Sequence, residues 1–261
     1  MLFLLSPAKK LDYDSPLAAD YPFEQPLFVE QAVELIEVLK TKSEQDIADL
    51  MKLSESLAAL NVERYQQWEP TFDQTNSRQA ILAFNGDVYE GLEAATLTKP
   101  QLEWTNEHVL ILSGLYGVLR PMDLMRPYRL EMGTRLETLK GKNLYEFWNA
   151  QIAEFINQNL TDHKNQVVIN LASEEYFKAV KKNALKYPVV QCTFKEERDG
   201  TYKIISFSAK RARGLMCRYA IENGIDTVDG LKDFDLEGYK YDVDSSNADT
   251  LVFLRPDQRK A

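Results

Sequence analysis

Residues 167–180, VVINLASEEYFKAV, change within a few positions from a buried strand pattern to the start of a helix. The apolar run VVINL predicts a strand, and Ser173 followed by two glutamates is typical of a helix N-cap with an acidic first turn. Outward from this stretch, residues 1–5 and 251–254 also predict buried strands. Strands that alternate with helices predict a largely parallel sheet.

One hairpin modifies that pattern. Residues 189–195 and 202–207 flank Asp199-Gly200, a strong turn signal between antiparallel strands. Residues 79–84, QAILAF, predict another strand. The fold class we expect is therefore α/β with mixed α+β character, in which helices flank a mixed central sheet. Without a repeat or a low-complexity linker, residues 1–261 predict a single domain.

The remaining periodic stretches predict helices over residues 31–42, 43–51, 55–68, 144–160 and 209–223. Ser43 and Ser54 are expected N-caps, and Gly224 is expected to end the last helix. Residues 12–27 contain three prolines and predict an extended loop. Residues 101–111 fit a helix or a strand.

Composition restricts the class of protein. The chain has 261 residues, a formal net charge of −9 and a hydrophobic content of 44%. Cys192 and Cys217 make no disulfide framework, and no apolar run reaches the roughly 18 residues that span a bilayer. We expect a cytoplasmic protein without a membrane partner, with Cys217 a packed thiol rather than a reactive one.

Arginines gather in two segments of this acidic chain. Residues 112–133, LSGLYGVLRPMDLMRPYRLEMG, carry Arg120, Arg126 and Arg129 on a stretch stiffened by two prolines. Residues 203–219, KIISFSAKRARGLMCRY, carry Lys210, Arg211 and Arg213 after Ser208, an expected helix cap. A helix start beside cations is a sensible phosphate site, although a solvated basic face is the alternative. We expect both segments to meet in one positively charged cleft.

The start of the first segment has a second interpretation. Ser113, Gly114, Tyr116 and Gly117 in LSGLYG are similar to the hairpin of helix-hairpin-helix DNA-binding motifs, where glycines let backbone N–H groups approach phosphate. The alternative is a tight turn beside a core tyrosine.

Polar residues follow several expected strands. In open α/β sheets, ligands collect at the carboxyl ends of strands, so these residues are expected to face one crevice unless they are ordinary loop and cap residues. They are Ser6, Lys9, Asn85, Asp87, Asn170 and Ser173. Asp87 and Glu131 are candidate acid-base groups, and Tyr89, Tyr116 and Tyr128 are candidates to stack on a base. His108 and His163 lack ligand neighbours at metal spacing, and no Walker or GxGxxG loop occurs, so we expect neither metal nor cofactor.

These motifs together resemble a known family. SPAKKLDY, FNGDVYEGL, the 112–133 segment, LYEFW, NLASEEYF, SAKRARGLMCRY and EGYKYDVDSS occur in this order and look like the bacterial YaaA family, named for a peroxide-stress resistance protein. The resemblance spans essentially the whole chain. It implies an unusual α/β fold with a positively charged cleft, a helix-hairpin-helix-like element, DNA binding, and survival of hydrogen peroxide by limiting free intracellular iron. By motif and charge, the positions matching the cleft are Lys9, Arg120, Arg126, Arg129, Lys210, Arg211 and Arg213.

Two functions follow. The first is a DNA-binding stress protein whose phosphate contacts come from the cleft and the glycine hairpin. The second is an enzyme that acts on a small phosphorylated or nucleotide-like molecule held by the same cations. The scarcity of His and Cys argues that any effect on iron is indirect.

Overall fold

The fold is described from a computed structural model, in which residues 1–17 and 21–257 are described. Residues 18–20 of the expected 12–27 loop lie outside them. The helices are α1 Val29–Lys40, α2 Glu44–Met51, α3 Glu55–Gln67, α4 Ala80–Ala83, α5 Asp87–Leu92, α6 Lys99–His108, α7 Leu144–Trp148, α8 Gln151–Leu160, α9 Glu174–Phe177 and α10 Ser206–Asn223. The strands are β1 Leu2–Leu5, β2 Lys10–Leu11, β3 Arg78–Gln79, β4 Phe84–Asn85, β5 Val109–Ser113, β6 Gly117–Leu119, β7 Leu124–Met125, β8 Val168–Asn170, β9 Val189–Arg198, β10 Thr201–Lys203, β11 Lys240–Tyr241 and β12 Thr250–Arg255.

A mixed sheet forms the centre of the molecule, as predicted. Its order is β11-β12-β9-β8-β1-β5-β6, with β10 paired to β9. The five strands from β12 to β5 run parallel, whereas β6, β10 and β11 are antiparallel to their neighbours. β1 is buried throughout, which its unbroken apolar sequence requires of a central parallel strand.

The direction of winding changes at β1. The chain leaves β1 for β5 on one side, and later returns to β8 on the other side before it moves outward to β9. The boundary between β1 and β8 is therefore a topological switch point, and the crevice at the carboxyl ends of these two strands is where open α/β sheets bind ligands.

Elements with strong local signals were predicted correctly. Ser43 accepts a hydrogen bond from the backbone N–H of Asp46 and forms a capping box, and Ser54 accepts one from Leu57. Asp199 and Gly200 both have positive φ, at 52° and 77°, between β9 and β10. α10 ends at Gly224 in the left-handed region, as expected.

Three expectations were wrong or incomplete. Residues 79–84 are not one strand, because the short strands β3 and β4 pair with β7 and β2 on either side of the helical turn α4. The predicted helix 144–160 is two helices, interrupted at Asn149, where φ is 44°. The ambiguous residues 101–111 are helix α6 followed directly by strand β5.

The LSGLYG segment forms a β-hairpin rather than a helix-hairpin-helix element. Ser113 pairs with Gly117 across the turn, and Ser113 and Tyr116 are fully buried. A Cβ on Gly117 would lie 2.7 Å from the Trp148 ring, so the tight turn is packed against α7. Ser113, Gly114, Tyr116 and Gly117 are therefore core residues, and their interpretation as phosphate contacts is wrong because phosphate has no access to this backbone.

Two helices that flank the switch point touch through their backbones. A Cβ on Gly214 of α10 would lie 1.8 Å from the carbonyl oxygen of Val88 in α5. Glycine is thus required for this close approach, which holds α10 directly beside α5. Within the described part of the chain, no helix has the length and apolar character to cross a membrane.

Candidate anion-binding site

A cavity of about 460 Å³, here called the central cavity, lies at the switch point. It is bounded by the segments after β1, β4 and β8, by the 131 region and by the first half of α10. Its lining consists of Ser6, Pro7, Ala8, Lys9, Lys10, Asn85, Gly86, Asp87, Val88, Tyr89, Glu131, Ser173, Glu175, Tyr176, Lys210 and Arg213. Distant parts of the chain thus converge on one crevice at the strand ends.

Hydrogen bonds hold the floor of the central cavity. The backbone N–H of Ser173 donates to Ser6 Oγ over 2.8 Å, which joins the ends of β8 and β1. Ser6 Oγ lies 3.3 Å from Ser173 Oγ, to which it donates. Tyr89 of α5 donates its hydroxyl to the carbonyl oxygen of Ser6 over 2.9 Å. Burial raises the pKa of Tyr89 well above its usual value, so this hydroxyl remains a donor.

Arg213 is a partly buried cation of the site without an ion pair among the described residues. Its Nε is buried without a hydrogen-bond partner, and no ion pair joins its guanidinium to any carboxylate of the described residues. Burial lowers the pKa of Arg213 because a desolvated cation is destabilised. The same side chain lines an adjoining cavity of about 330 Å³, which also contains Asn170 and Cys192. A partly buried guanidinium that lines two cavities is placed to receive an anion.

A cation–carboxylate chain lines another part of the cavity. Lys9 Nζ lies 2.9 Å from one oxygen of Glu131, and Arg129 donates to the other over 3.0 Å. Two cations thus flank one carboxylate. Arg129 reaches the site only through Glu131, so its role as a direct phosphate ligand is not supported.

Most of the predicted crevice is brought together. Ser6, Lys9, Asn85, Asp87, Tyr89, Glu131, Ser173, Lys210 and Arg213 all line the central cavity. Asn170 does not: it lines the adjoining cavity and donates to Gln191 over 2.6 Å. Tyr128 is also separate, because it is buried in the core, 2.6 Å from the hydroxyl of Ser113.

The expectation that the two arginine segments form one cleft is not met. Arg120 Nη2 lies 2.8 Å from the buried carboxylate of Asp123, and Nη1 pairs with Glu24. Arg126 donates to the backbone carbonyl oxygens of Gln67 and Thr71. Both guanidinium groups brace segments of the fold, which leaves their charge compensated within the protein.

The second segment is divided as well. Arg211 pairs with Glu237 over 2.8 Å and donates to the carbonyl oxygen of Glu90, outside the lining of the central cavity. α10 begins at Ser206, so Ser208 lies inside the helix and does not cap it. Only Lys210 and Arg213, three residues apart on α10, reach the cavity.

Sequence reasoning missed some lining residues. Lys10 and Gly86 adjoin predicted site residues, and extending each strand-end motif by one position would have found them. Tyr176 and Glu175 follow Ser173, but they were interpreted only as part of a capped helix. Burial raises the pKa of Tyr176 well above its usual value. In the described part of the chain, no His, Cys, Asp and Glu side chains form a group of three or more that could hold a metal ion.

Comparison with known proteins gives a consistent match. A family model described as peroxide stress protein YaaA matches residues 1–245. The UPF0246 protein of Bordetella petrii is 62% identical over 255 residues, which cover 98% of this chain and 99% of the relative. The UPF0246 proteins of Bordetella avium, at 63% identity with the same coverage, and of a Polaromonas strain, at 62% with 98% of each chain covered, are similarly close.

Proposed function

This chain belongs to the family of peroxide stress protein YaaA, and from that membership we propose that it binds a small phosphorylated or nucleotide-like molecule in the central cavity as part of its role in peroxide stress. The observation that carries the proposal is the partly buried Arg213 guanidinium, whose buried Nε lacks a hydrogen-bond partner, which forms no ion pair with a carboxylate of the described residues, and which lines this cavity. An arginine binds a phosphate through two parallel hydrogen bonds.

The size and lining of the central cavity favour a small ligand. About 460 Å³ lies within the range of roughly 300–1,000 Å³ that is usual for small-molecule sites. Lys9, Lys10 and Lys210 add positive charge at exposed positions, while Asn85 and Ser6 supply neutral polar groups. A phosphate on Arg213 would thus have further cations within the same crevice.

Asp87 is the group we propose for proton transfer, should the ligand be a substrate. Its carboxylate lines the cavity and has no hydrogen-bond partner among the described residues, whereas Glu131 is engaged by Lys9 and Arg129. An unengaged carboxylate beside a bound phosphate ester is suited to accept a proton.

DNA binding is the second candidate. Exposed Lys9, Lys10 and Lys210 at the mouth of the cavity are the observation that favours it, since phosphate backbones are bound through such lysines. In either case the proposal includes protection against peroxide through a lower level of free iron, reached indirectly through the bound ligand.

Binding measurements separate the two candidates. A set of mononucleotides and a DNA duplex are each titrated into the unmodified protein and into its Arg213→Gln and Arg211→Gln variants. Arg211→Gln is the control, because Arg211 lies on the same helix but outside the cavity. A nucleotide at a hundred times its dissociation constant should stabilise the protein by about 2.7 kcal/mol. Arg213→Gln should weaken nucleotide binding about tenfold or more, with little change in the control.

The contrary result is equally specific. In this result no nucleotide stabilises the protein, while the duplex binds with an affinity that falls steeply as salt is added. The logarithm of the binding constant should then fall with the logarithm of the salt concentration by about 0.9 for each neutralised phosphate, and the DNA candidate replaces the first. Peroxide survival and free iron are then measured in cells carrying each variant. If cells carrying Arg213→Gln were fully protected against peroxide, the central cavity would have no part in the stress function.

A further inference from the structure

We propose that a second cavity, lined by Arg64 and Arg78 and here called the arginine-pair cavity, is a separate binding site for a phosphate group or a similar oxyanion. Its volume is about 530 Å³. Arg64 comes from α3 and Arg78 from β3, and neither belongs to an arginine-rich segment of the sequence. The proposal does not rest on the function proposed for the central cavity.

Arg78 supplies the strongest observation. Its relative exposure is 6%, and its Nη1 donates to the carbonyl oxygen of Ser15 over 2.8 Å. Its Nε is buried without any hydrogen-bond partner, and no carboxylate of the described residues lies within ion-pair distance of its guanidinium. A buried cation without a direct ion pair is costly unless an anion approaches it closely.

Arg64 brings a second guanidinium group, which is only partly buried, to the same space. It lines the arginine-pair cavity and has no hydrogen bond or ion pair with the described residues. Burial lowers the pKa of Arg64, which reflects the removal of water from the guanidinium. Two guanidinium groups facing one cavity form a fork-like donor set that suits tetrahedral oxyanions.

Neutral polar side chains complete the wall. Ser15, Asn76 and Ser77 line the cavity beside the two arginines. The turn that carries Asn76 is held in place by Asp73, whose carboxylate accepts the backbone N–H groups of Thr75 and Asn76 over 2.8 and 3.1 Å. The wall is therefore organised before any ligand arrives.

The residues that line the arginine-pair cavity carry a net positive charge. Asp14 is the acidic side chain in the lining, and it is exposed. Asp12 lies outside the lining, where its carboxylate accepts the backbone N–H groups of Asp14 and Ser15 over 3.1 and 2.9 Å and offsets part of the charge of Arg78. The two guanidinium charges thus exceed the negative charge of the lining.

The two cavities lie along one short segment. Lys10 of β2 lines the central cavity, and the next residue, Leu11, lines the arginine-pair cavity. A free phosphate, a phosphomonoester or a phosphate of a nucleic-acid backbone all present the same oxyanion to Arg64 and Arg78. The experiment therefore compares these sources.

Arginine Nε–H resonances in a ¹⁵N-labelled sample report on this site directly. Inorganic phosphate, adenosine monophosphate and a single-stranded dodecanucleotide are each titrated into the protein. We expect saturable shifts of the Arg64 and Arg78 resonances, and a loss of phosphate affinity of about tenfold or more in Arg64→Gln, the half-exposed and better tolerated position. Arg135→Gln, at an exposed arginine outside both cavities, is the matched control.

The outcomes separate this site from the central cavity. Equal affinity for phosphate and the monophosphate assigns the site to a single oxyanion, whereas much tighter, salt-dependent binding of the oligonucleotide assigns it to a nucleic-acid backbone. The shifts should persist in Arg213→Gln, because Arg213 does not line the arginine-pair cavity. The proposal would be overturned if none of the three probes shifted the Arg64 and Arg78 resonances. It would also be overturned if Arg64→Gln bound phosphate as tightly as the unmodified protein does.

Discussion

Arginine guanidinium groups have two different roles in this protein, and the role depends on how fully the group is paired with carboxylate and carbonyl oxygens of the protein. Arg120 and Arg126 are held by carboxylates and backbone carbonyl oxygens, so they stabilise the fold. Arg213 and Arg78 have buried Nε atoms without partners and line cavities. Clustering along the sequence did not distinguish these roles, because several of the compensating groups, such as Glu24 for Arg120 and the carbonyl oxygen of Gln67 for Arg126, come from distant segments.

An uncompensated Arg213 has a consequence for stability. In Arg213→Met the partly buried, unpaired charge is replaced by an apolar side chain of similar length, so the ligand-free protein should gain about 1–2 kcal/mol in free energy of unfolding. Urea denaturation of the variant measures this change. Arg218→Met is the control, because Arg218 pairs with Glu222 and its replacement should not stabilise the protein. Equal or lower stability of Arg213→Met would mean that the guanidinium is already compensated.

The two thiols lead to a prediction about peroxide itself. Cys192 and Cys217 are buried, and burial raises the pKa of each to about 12. Because the thiolate is the reactive form, the folded protein should consume hydrogen peroxide no faster than the double variant Cys192→Ala/Cys217→Ala, and iodoacetamide should label it only after unfolding. Rapid labelling of the native protein would contradict this view of packed thiols, which the sequence had favoured for Cys217.

Elements were predictable where their signals are local. The caps of α2 and α3, the Asp199-Gly200 turn and the end of α10 each depend on residues within one turn of the chain. β3 and β4 were not predicted, because their pairing partners β7 and β2 lie far away in sequence. The strand-end rule correctly brought Ser6 and Ser173 together because β1 and β8 are parallel neighbours, whereas Asn85 and Asp87 follow β4, which lies outside the parallel sheet. The glycine hairpin was wrongly interpreted as a phosphate contact, because its backbone is buried by packing against α7, which the local sequence does not show.

The crossing of α5 and α10 is a prediction at the scale of elements. Alanine at Gly214 would place a Cβ 1.8 Å from the Val88 carbonyl oxygen, so the helices must separate. We expect Gly214→Ala to lose about 2–3 kcal/mol of unfolding free energy despite the higher helix propensity of alanine. It should also weaken ligand binding, since Asp87 and Arg213 are on these two helices.

Lys210→Ala serves as the stability control, because it is an exposed position on the same helix and should change the free energy of unfolding by less than about 0.5 kcal/mol. Thermal or urea unfolding compares the two variants. A Gly214→Ala protein as stable as the control would show that α5 can move away without loss.

At the scale of the whole molecule, charge and topology act in opposite directions. A net charge of −9 repels anions from most of the surface. The sheet nevertheless collects lysines and an unpaired arginine at its switch point, where strand order reverses beside β1. Local potential in the two cavities, rather than overall charge, therefore determines which anions approach closely.

The pH dependence of global stability tests how β1 is anchored. Met1 lies with its amino group 3.0 Å from His163 Nδ1 and 2.8 Å from Asp226. Burial, followed by the positive charges of that amino group and of His108, lowers the pKa of His163 to about 4. His163 is thus neutral in the folded protein at pH 5, whereas an unfolded histidine gains a proton below its ordinary pKa of about 6.5.

Stability from His163 should accordingly be complete above about pH 6.5 and be lost as the pH falls toward 4, because the unfolded state binds the extra proton. After allowance for solvent screening of a half-buried ring, the loss should be about 1–2 kcal/mol near pH 4.5. His163→Gln keeps a hydrogen-bond acceptor but cannot titrate, so its unfolding free energy should fall less steeply between pH 6.5 and 4.5. Urea denaturation across this range, with both proteins at one ionic strength, makes the comparison. Parallel curves would place the pH sensitivity of the molecule in its carboxylates instead.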